Sequence, residues 1–592
     1  MKKTIKKATS IIIAATVGVL SFSAAVPAYA AEERLVINVE TDSPSEYGYQ
    51  NYRYVDKNGN EVVFETGEQL FTQSVLPSNY DSRDYGYVTD VKYQGSGGNC
   101  WAYSSISMLE TSSVINGYET ADTADYSEAH LTWFTGKGLA QDTDDLAYGD
   151  GYDLEEPFYY GGNWKRAAAT LARWSGVADE SEFPAYPRNI SAMGNYDESD
   201  RYNTSAGVVL ESAQKLETAE DIKQWITENG SVSAAFHYND KYYNKNTFAY
   251  NCPEKYSISH MIVIVGWDDN YSAENFNDVP SANGAWICKN SWGTNWGDDG
   301  YFMISYNDAS FSYIAGFTAR TTENCYKNYT YNGSEWNSAV GAYGSMQAAN
   351  VFTSGGYETL DAVGVSTAGA GNRVKITVYK NLPDGYTTPV EGTLASTKEL
   401  LIDREGYHTV YLDDEVSLEP GERFSVVVEY KNTLQSATFV PVEKNTVEYQ
   451  SYSSRAGESY LNYNPKRVTS WETAAENEVH NVYVQAFTKC NHQNVSRTDG
   501  AICTEDGIET VYCSQCGKVE SEHTVYHTCH GFGGWSAFEK NSDGEEISTR
   551  VCLRCGLEET KTRSEVNVVP LNSFFDMFIS RFLVVFRALF SK

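Results

Sequence analysis

Gln94-Gly95-Ser96-Gly97-Gly98-Asn99-Cys100-Trp101-Ala102-Tyr103 is the stretch on which the reading of this chain turns. Asn99 is a residue type favoured just before a helix. Ala102, Ile106 and Leu109 follow at helical spacing, so Cys100 is expected in the first turn of an amphipathic helix. Free backbone N–H groups and the positive end of the helix dipole favour a thiolate there. A cysteine in that position reads as a nucleophile.

A nucleophilic thiol needs a base to take its proton, and the base needs a group that fixes its ring. Both residue types lie downstream. Ser259-His260-Met261 heads the apolar run Ile262 to Gly266, and Asn290-Ser291-Trp292-Gly293 follows, with Trp296, Gly297, Gly300 and Tyr301 close behind. With Gln94 upstream, the order glutamine, cysteine, histidine, asparagine resembles the papain-like cysteine peptidases. Leu76-Pro77 to Arg83 resembles the start of a mature enzyme of that family, and Tyr126-Ser127-Glu128, Gly176-Val177 and Phe183-Pro184 resemble later landmarks.

The resemblance implies an α+β fold for residues 76–320, a papain-like two-lobed peptidase with a helical lobe and a β-barrel-like lobe. It assigns Cys100 as nucleophile, His260 as base and Asn290 as the group that orients it. Gln94 and the Cys100 N–H would form the oxyanion hole, and Trp292 would screen the His260–Asn290 hydrogen bond. Gly161, Gly162 and Trp292 fall on the substrate side, the glycines pairing their backbone with an extended peptide. The implied substrate is a protein or peptide, and catalysis needs no cofactor. Gly97 stands where the family commonly has a disulfide-bonded cysteine, leaving Cys252 and Cys288 as buried thiols. The residue types also admit a rival of another class, a cell-surface adhesin or glycan-binding protein whose peptidase fold is silent.

The flanks agree with export. Met1 to Lys7 is basic, Ile11 to Leu20 is apolar, and Ala28-Tyr29-Ala30 is a small-residue cleavage site, so residues 1–30 read as a signal peptide. Residues 31–75 leave room for a short pro-segment only. A formal charge of −34 argues against nucleic acid as a partner and for a secreted or cell-surface protein of a bacterium, Gram-positive by this charge and the lysine-rich leader.

From 321 to 488 alternating runs such as Val374-Lys-Ile376-Thr-Val378 and Phe424-Ser-Val426-Val-Val428 predict an all-β sandwich. It resembles the lectin-like domain that follows the peptidase in some bacterial surface cysteine peptidases, which implies cell-surface glycans as partners. Residues 489–562 contain a repeat, Tyr512-Cys513-Ser-Gln-Cys516-Gly517 and Val551-Cys552-Leu-Arg-Cys555-Gly556. Two zinc-ribbon-like Cys/His modules fit it, with Cys490, His492, Cys513 and Cys516 at one structural zinc and Cys529, His530, Cys552 and Cys555 at the other. Cys503 and His527 lie nearby, and disulfides or free thiols are the alternatives. Residues 563–592 place Phe574, Phe578, Phe582, Phe586 and Leu589 on one helical face, predicting an amphipathic helix that lies at a membrane interface.

Overall fold

The computed structural model describes residues 34–66, 76–139, 150–184, 196–445, 450–467, 470–499, 503, 505–527 and 529–563. The expected signal peptide at 1–30, and the expected C-terminal helix beyond Arg563, lie outside the described residues. Two compact units form. The first comprises Met1–Thr353, Leu360–Val416 and Glu422–Thr488, and the second Ser354–Thr359, Ser417–Gly421 and Lys489–Lys592.

The first unit contains the expected two-lobed peptidase fold. Its helical lobe is built from α1 (Cys100–Ile115), α2 (Glu128–Gly136) and α3 (Trp164–Ala172). Its β lobe is a run of strands in the spatial order Val208–Lys215, Ser312–Thr321, Val232–Phe236, His260–Asp268, Ala285–Lys289, Tyr301–Ser305. The helix α1 differs from the amphipathic expectation, because every residue from Cys100 to Ser113 is buried. Small hydroxyls make that burial tolerable. Ser105 Oγ donates to the Trp101 carbonyl at 2.7 Å and Thr111 Oγ1 to the Ser107 carbonyl at 2.8 Å, so these two hydroxyls are satisfied within the helix, while Ser107, Glu110 and Ser112 bond to residues outside it.

The β-sandwich is fused to the peptidase. One layer orders the strands Thr393–Ile402, Asn372–Lys380, Arg423–Asn432, Ser345–Thr353, Ser459–Asn462 and Trp471–Thr473. Val374, Ile376 and Val378 point inward with 0 % exposure, as their alternation predicts. The other layer is continuous with the peptidase sheet, since Gly406–His408 pair antiparallel with Ser212–Gln214.

Ahead of the peptidase, residues 34–66 form a hairpin instead of a helical prodomain. Strand β1 (Leu35–Thr41) pairs with β2 (Tyr52–Asp56) and, on its other side, with the sandwich strand Ser338–Tyr343. Ile37, Tyr52, Tyr54 and Phe64 share an apolar cluster with Trp336, Ala339 and Phe439 of the sandwich. The Tyr54 hydroxyl also meets Glu405, whose carboxylate is 2.8 Å from Lys165 Nζ of α3.

The second unit holds two three-stranded antiparallel sheets, Asn494–Asp499 with Gly507–Cys513 and Val519–Val525, and Glu539–Lys540 with Glu546–Val551 and Glu558–Thr562. Each CxxC turn leaves the end of a central strand. Gly517 and Gly556 close these turns at φ of 77° and 76°, where a side chain is disfavoured.

Candidate active site and candidate metal centres

Cys100 is the first residue of α1, and His260 opens the strand His260–Asp268 in the facing lobe. The Met261 backbone, next to His260, favours the Cys100 thiolate, which places the strand start near the sulfur. Asn99 precedes the helix without capping it through its side chain; its Nδ2 reaches Thr132 Oγ1 at 3.4 Å instead.

His260 Nε2 lies 2.8 Å from Asn290 Oδ1. The same oxygen accepts the Ser291 N–H at 2.8 Å, so it is the acceptor in both contacts and the imidazole proton sits on Nε2. Nδ1 is left without a hydrogen-bond partner, with its lone pair available as a base. Trp292 stacks on the imidazole with centroids 4.6 Å apart and planes 18° apart.

Gln94 is anchored from the same loop. Its Oε1 accepts the Ser291 hydroxyl at 2.6 Å, its backbone N–H donates to the Ser291 carbonyl at 2.9 Å, and its Nε2 donates to the Gly97 carbonyl at 2.9 Å. Ser291 is a positioning residue that motif reading missed. Its place directly after Asn290 was the available signal.

The cleft is filled by the chain itself. Gly162 donates its N–H to the Gly48 carbonyl at 2.9 Å and accepts the Gln50 N–H at 2.8 Å, with Tyr49 running parallel to Gly162. Gly48 passes so close to Gly98 that a Cβ on it would lie 2.0 Å from the Gly98 carbonyl carbon. A Cβ on Gly161 would lie 2.7 Å from Pro44. Tyr47 covers the imidazole and its tryptophan, with centroids 5.5 Å from His260 and 5.3 Å from Trp292. Sequence reasoning missed this cover too. Nothing in the sequence around Tyr47 and Tyr49 says what they pack on.

Burial sets the protonation state. Cys100, at 0 % exposure, has its thiol pushed up to about 12 by burial, against the pull of the Met261 and Trp101 backbone. Burial also pushes His260 down to about 4, partly offset by the Asn290 hydrogen bond. Under the cover, therefore, the proton stays on sulfur and the imidazole is neutral.

In the second unit two groups of ligand atoms converge, each set lying within 4.8 Å of one another. One is Cys490, His492, Cys513 and Cys516, the set expected from the repeat. The other is Cys503, His530, Cys552 and Cys555. Cys529 is not part of it. The correction has a geometric cause. Phe532 bridges to Cys552, and Cys529 is exposed, while the buried Cys503 lies among the ligand atoms of His530, Cys552 and Cys555.

The donor spacing suits a metal ion. Cys490 Sγ and Cys513 Sγ are 3.7 Å apart and Cys503 Sγ and Cys552 Sγ 3.5 Å, while Cys516 Sγ to His492 Nδ1 is 3.3 Å and Cys555 Sγ to His530 Nδ1 3.4 Å. Tetrahedral zinc, with Zn–S of about 2.3 Å and Zn–N of about 2.0 Å, sets sulfurs about 3.8 Å apart and sulfur and nitrogen about 3.5 Å apart. A disulfide would need about 2.05 Å, and all eleven cysteines are free thiols.

Comparison with known proteins meets this geometry. Residues 76–319 match the papain family cysteine proteases. This segment is similar to that family. Residues 328–488 match the lectin like domain. A viral cathepsin of Cydia pomonella granulosis virus is 30% identical over 241 residues, 39% of this chain and 58% of that protein. Mouse cathepsin K is 26% identical over 244 residues, again 39% of this chain, and 60% of that protein. The chain thus spans less than two thirds of the papain-family relatives it matches.

A solved structure of the protease and lectin-like domains of Cwp84, described as a surface layer associated protein of Clostridium difficile, aligns over 77% of this chain and 98% of that one. Its TM-score is 0.60 and its identity 25%. A structure of a cysteine-to-alanine variant of the clostridial cysteine protease Cwp84, after propeptide cleavage, aligns over 70% of this chain and all of that one, with TM-score 0.60 and identity 26%. The papain-family segment is therefore joined to a lectin-like segment here as in the two-domain Cwp84 structure.

Proposed function

We propose that this chain is an exported cysteine endopeptidase, kept latent by its own residues 42–51 and acting at or outside the cell surface. The observation that carries the reading is His260, with Nε2 tied to Asn290 and Nδ1 unpartnered, next in sequence to Met261, whose backbone favours the thiolate of Cys100 at the start of α1.

Catalysis follows from these atoms. With the cleft open, water relieves the burial that separates the two protonation equilibria, and the Cys100 proton passes to His260 Nδ1. The thiolate attacks a peptide carbonyl carbon. The resulting oxyanion is held by Gln94 Nε2 and the Cys100 N–H. His260 then protonates the departing amine, leaving a thioester that water hydrolyses, with His260 again taking a proton. Gly162, whose N–H and carbonyl now bond Gly48 and Gln50, would pair with the substrate backbone. Gly161 and Trp292 flank that path.

The full chain, offered a diverse peptide pool beside its Cys100→Ala variant and read by mass spectrometry, tests the reading. Cuts confined to the unmutated chain support it. A folded chain that cuts nothing, even after displacement of residues 42–51, favours the adhesin alternative. Cell-surface glycans are the partner we assign to residues 328–488, to be tested on a glycan array. The tail beyond Arg563 is assigned to a membrane interface, and vesicle binding unchanged by its deletion would refute that. Both Cys/His groups are assigned structural zinc, which would supply a core to modules that have none.

A further inference from the structure

The order of the ligands along the chain carries a consequence beyond the zinc assignment on which it rests. The first group uses Cys490, His492, Cys513 and Cys516, and the second uses Cys503, His530, Cys552 and Cys555. Cys503 therefore lies in sequence between the two halves of the first group, between the strands Asn494–Asp499 and Gly507–Cys513. Among the described residues from 490 to 563, the buried apolar side chains are Cys503, Cys513 and Cys552, at 3 %, 0 % and 1 % exposure. Beyond the strand ladders and the packing of Arg550 and Lys561 on Phe532 and Trp535, the buried sulfurs are the only apolar core among these described residues, so the position of Cys503 depends on the first hairpin being closed.

We propose that the two modules are interlocked through metal. The first site is complete within its own repeat, whereas the second borrows Cys503 from the first hairpin and binds its ion fully only when that hairpin is folded. The coupling is one-directional. Emptying the first site frees the turn that carries Cys503, while emptying the second removes no ligand of the first. Cys529, although adjacent to His530, takes no part.

Cobalt(II) and zinc titrations of the full chain test this, with thiolate-to-cobalt absorption and chelator competition as readouts. The unmutated chain should hold two ions, each in a three-thiolate environment, and Cys529→Ser should match it. Cys503→Ser should weaken one site and reduce its thiolate absorption. Cys513→Ser should weaken the second site roughly tenfold as well as abolish the first, whereas Cys552→Ser should leave the first at its unmutated affinity. A Cys513→Ser chain whose second site keeps full affinity would overturn the interlock, as would loss of an ion in Cys529→Ser with both retained in Cys503→Ser. An unmutated chain with no bound metal and no free thiols would instead refute the zinc assignment itself, and the interlock with it.

Discussion

Cysteine is buried in two parts of this molecule to opposite ends. Cys100 lies at the start of a helix under Tyr47 and its neighbours, and burial there withholds the charge that reactivity needs. Cys503, Cys513 and Cys552 are buried in and beside two small sheets with almost no other apolar side chain inside, where sulfur is itself the core. The difference is in the company each thiol keeps. One lies in a site whose imidazole has an unpartnered nitrogen, and the others lie among Cys and His donors at a spacing that suits a tetrahedral ion. Burial of a cysteine therefore indicates nothing until the neighbouring donors are counted.

The comparison breaks first at the catalytic pair. Replacing Cys100 by Ala, or His260 by Ala, should lower peptide cleavage by at least roughly 10,000-fold, read as kcat/KM on a peptide from the pool. Gln94→Ala should cost about 100- to 1000-fold in kcat while leaving the fold intact. Ser291→Ala should cost less, about tenfold, because it loosens Gln94 without removing the donor.

Gly48→Ala acts in the other direction. The added methyl cannot fit against Gly98, so the segment must lift, and peptide cleavage by the unprocessed chain should rise. A pH series sharpens the contrast. Under the cover the thiol titrates near 12, so alkylation of Cys100 in the intact chain should climb only as pH approaches that value. Once the cover is lifted, the thiolate–imidazolium pair should give labelling that is already substantial at neutral pH.

The residues proposed for catalysis were legible because each sits in a short run whose residue types have a chemical purpose, and the His260–Asn290 hydrogen bond is of the kind those types imply. The alternating strands of the sandwich were legible for the same local reason. What the sequence hid depends on distant partners. The close approach of Gly48 to Gly98, and the pairing of Gly406–His408 with Ser212–Gln214, join residues whose local patterns do not mention one another. Cys503, and not Cys529, converges with His530, Cys552 and Cys555, although nearness in sequence to His530 favours Cys529. Helix α1 looked amphipathic because Ser105 and Thr111 count as polar, although their hydroxyls are satisfied by their own helix.

The most direct test of latency is the rate at which a thiol-directed epoxide labels Cys100 at neutral pH, mapped by mass spectrometry in the intact chain and in Gly48→Ala. Slow labelling of the intact chain is expected, with a marked increase in the variant that is confined to Cys100. Equal rates in the two folded chains, or no adduct at Cys100 in either, would contradict a peptidase site held latent by its own N-terminal segment.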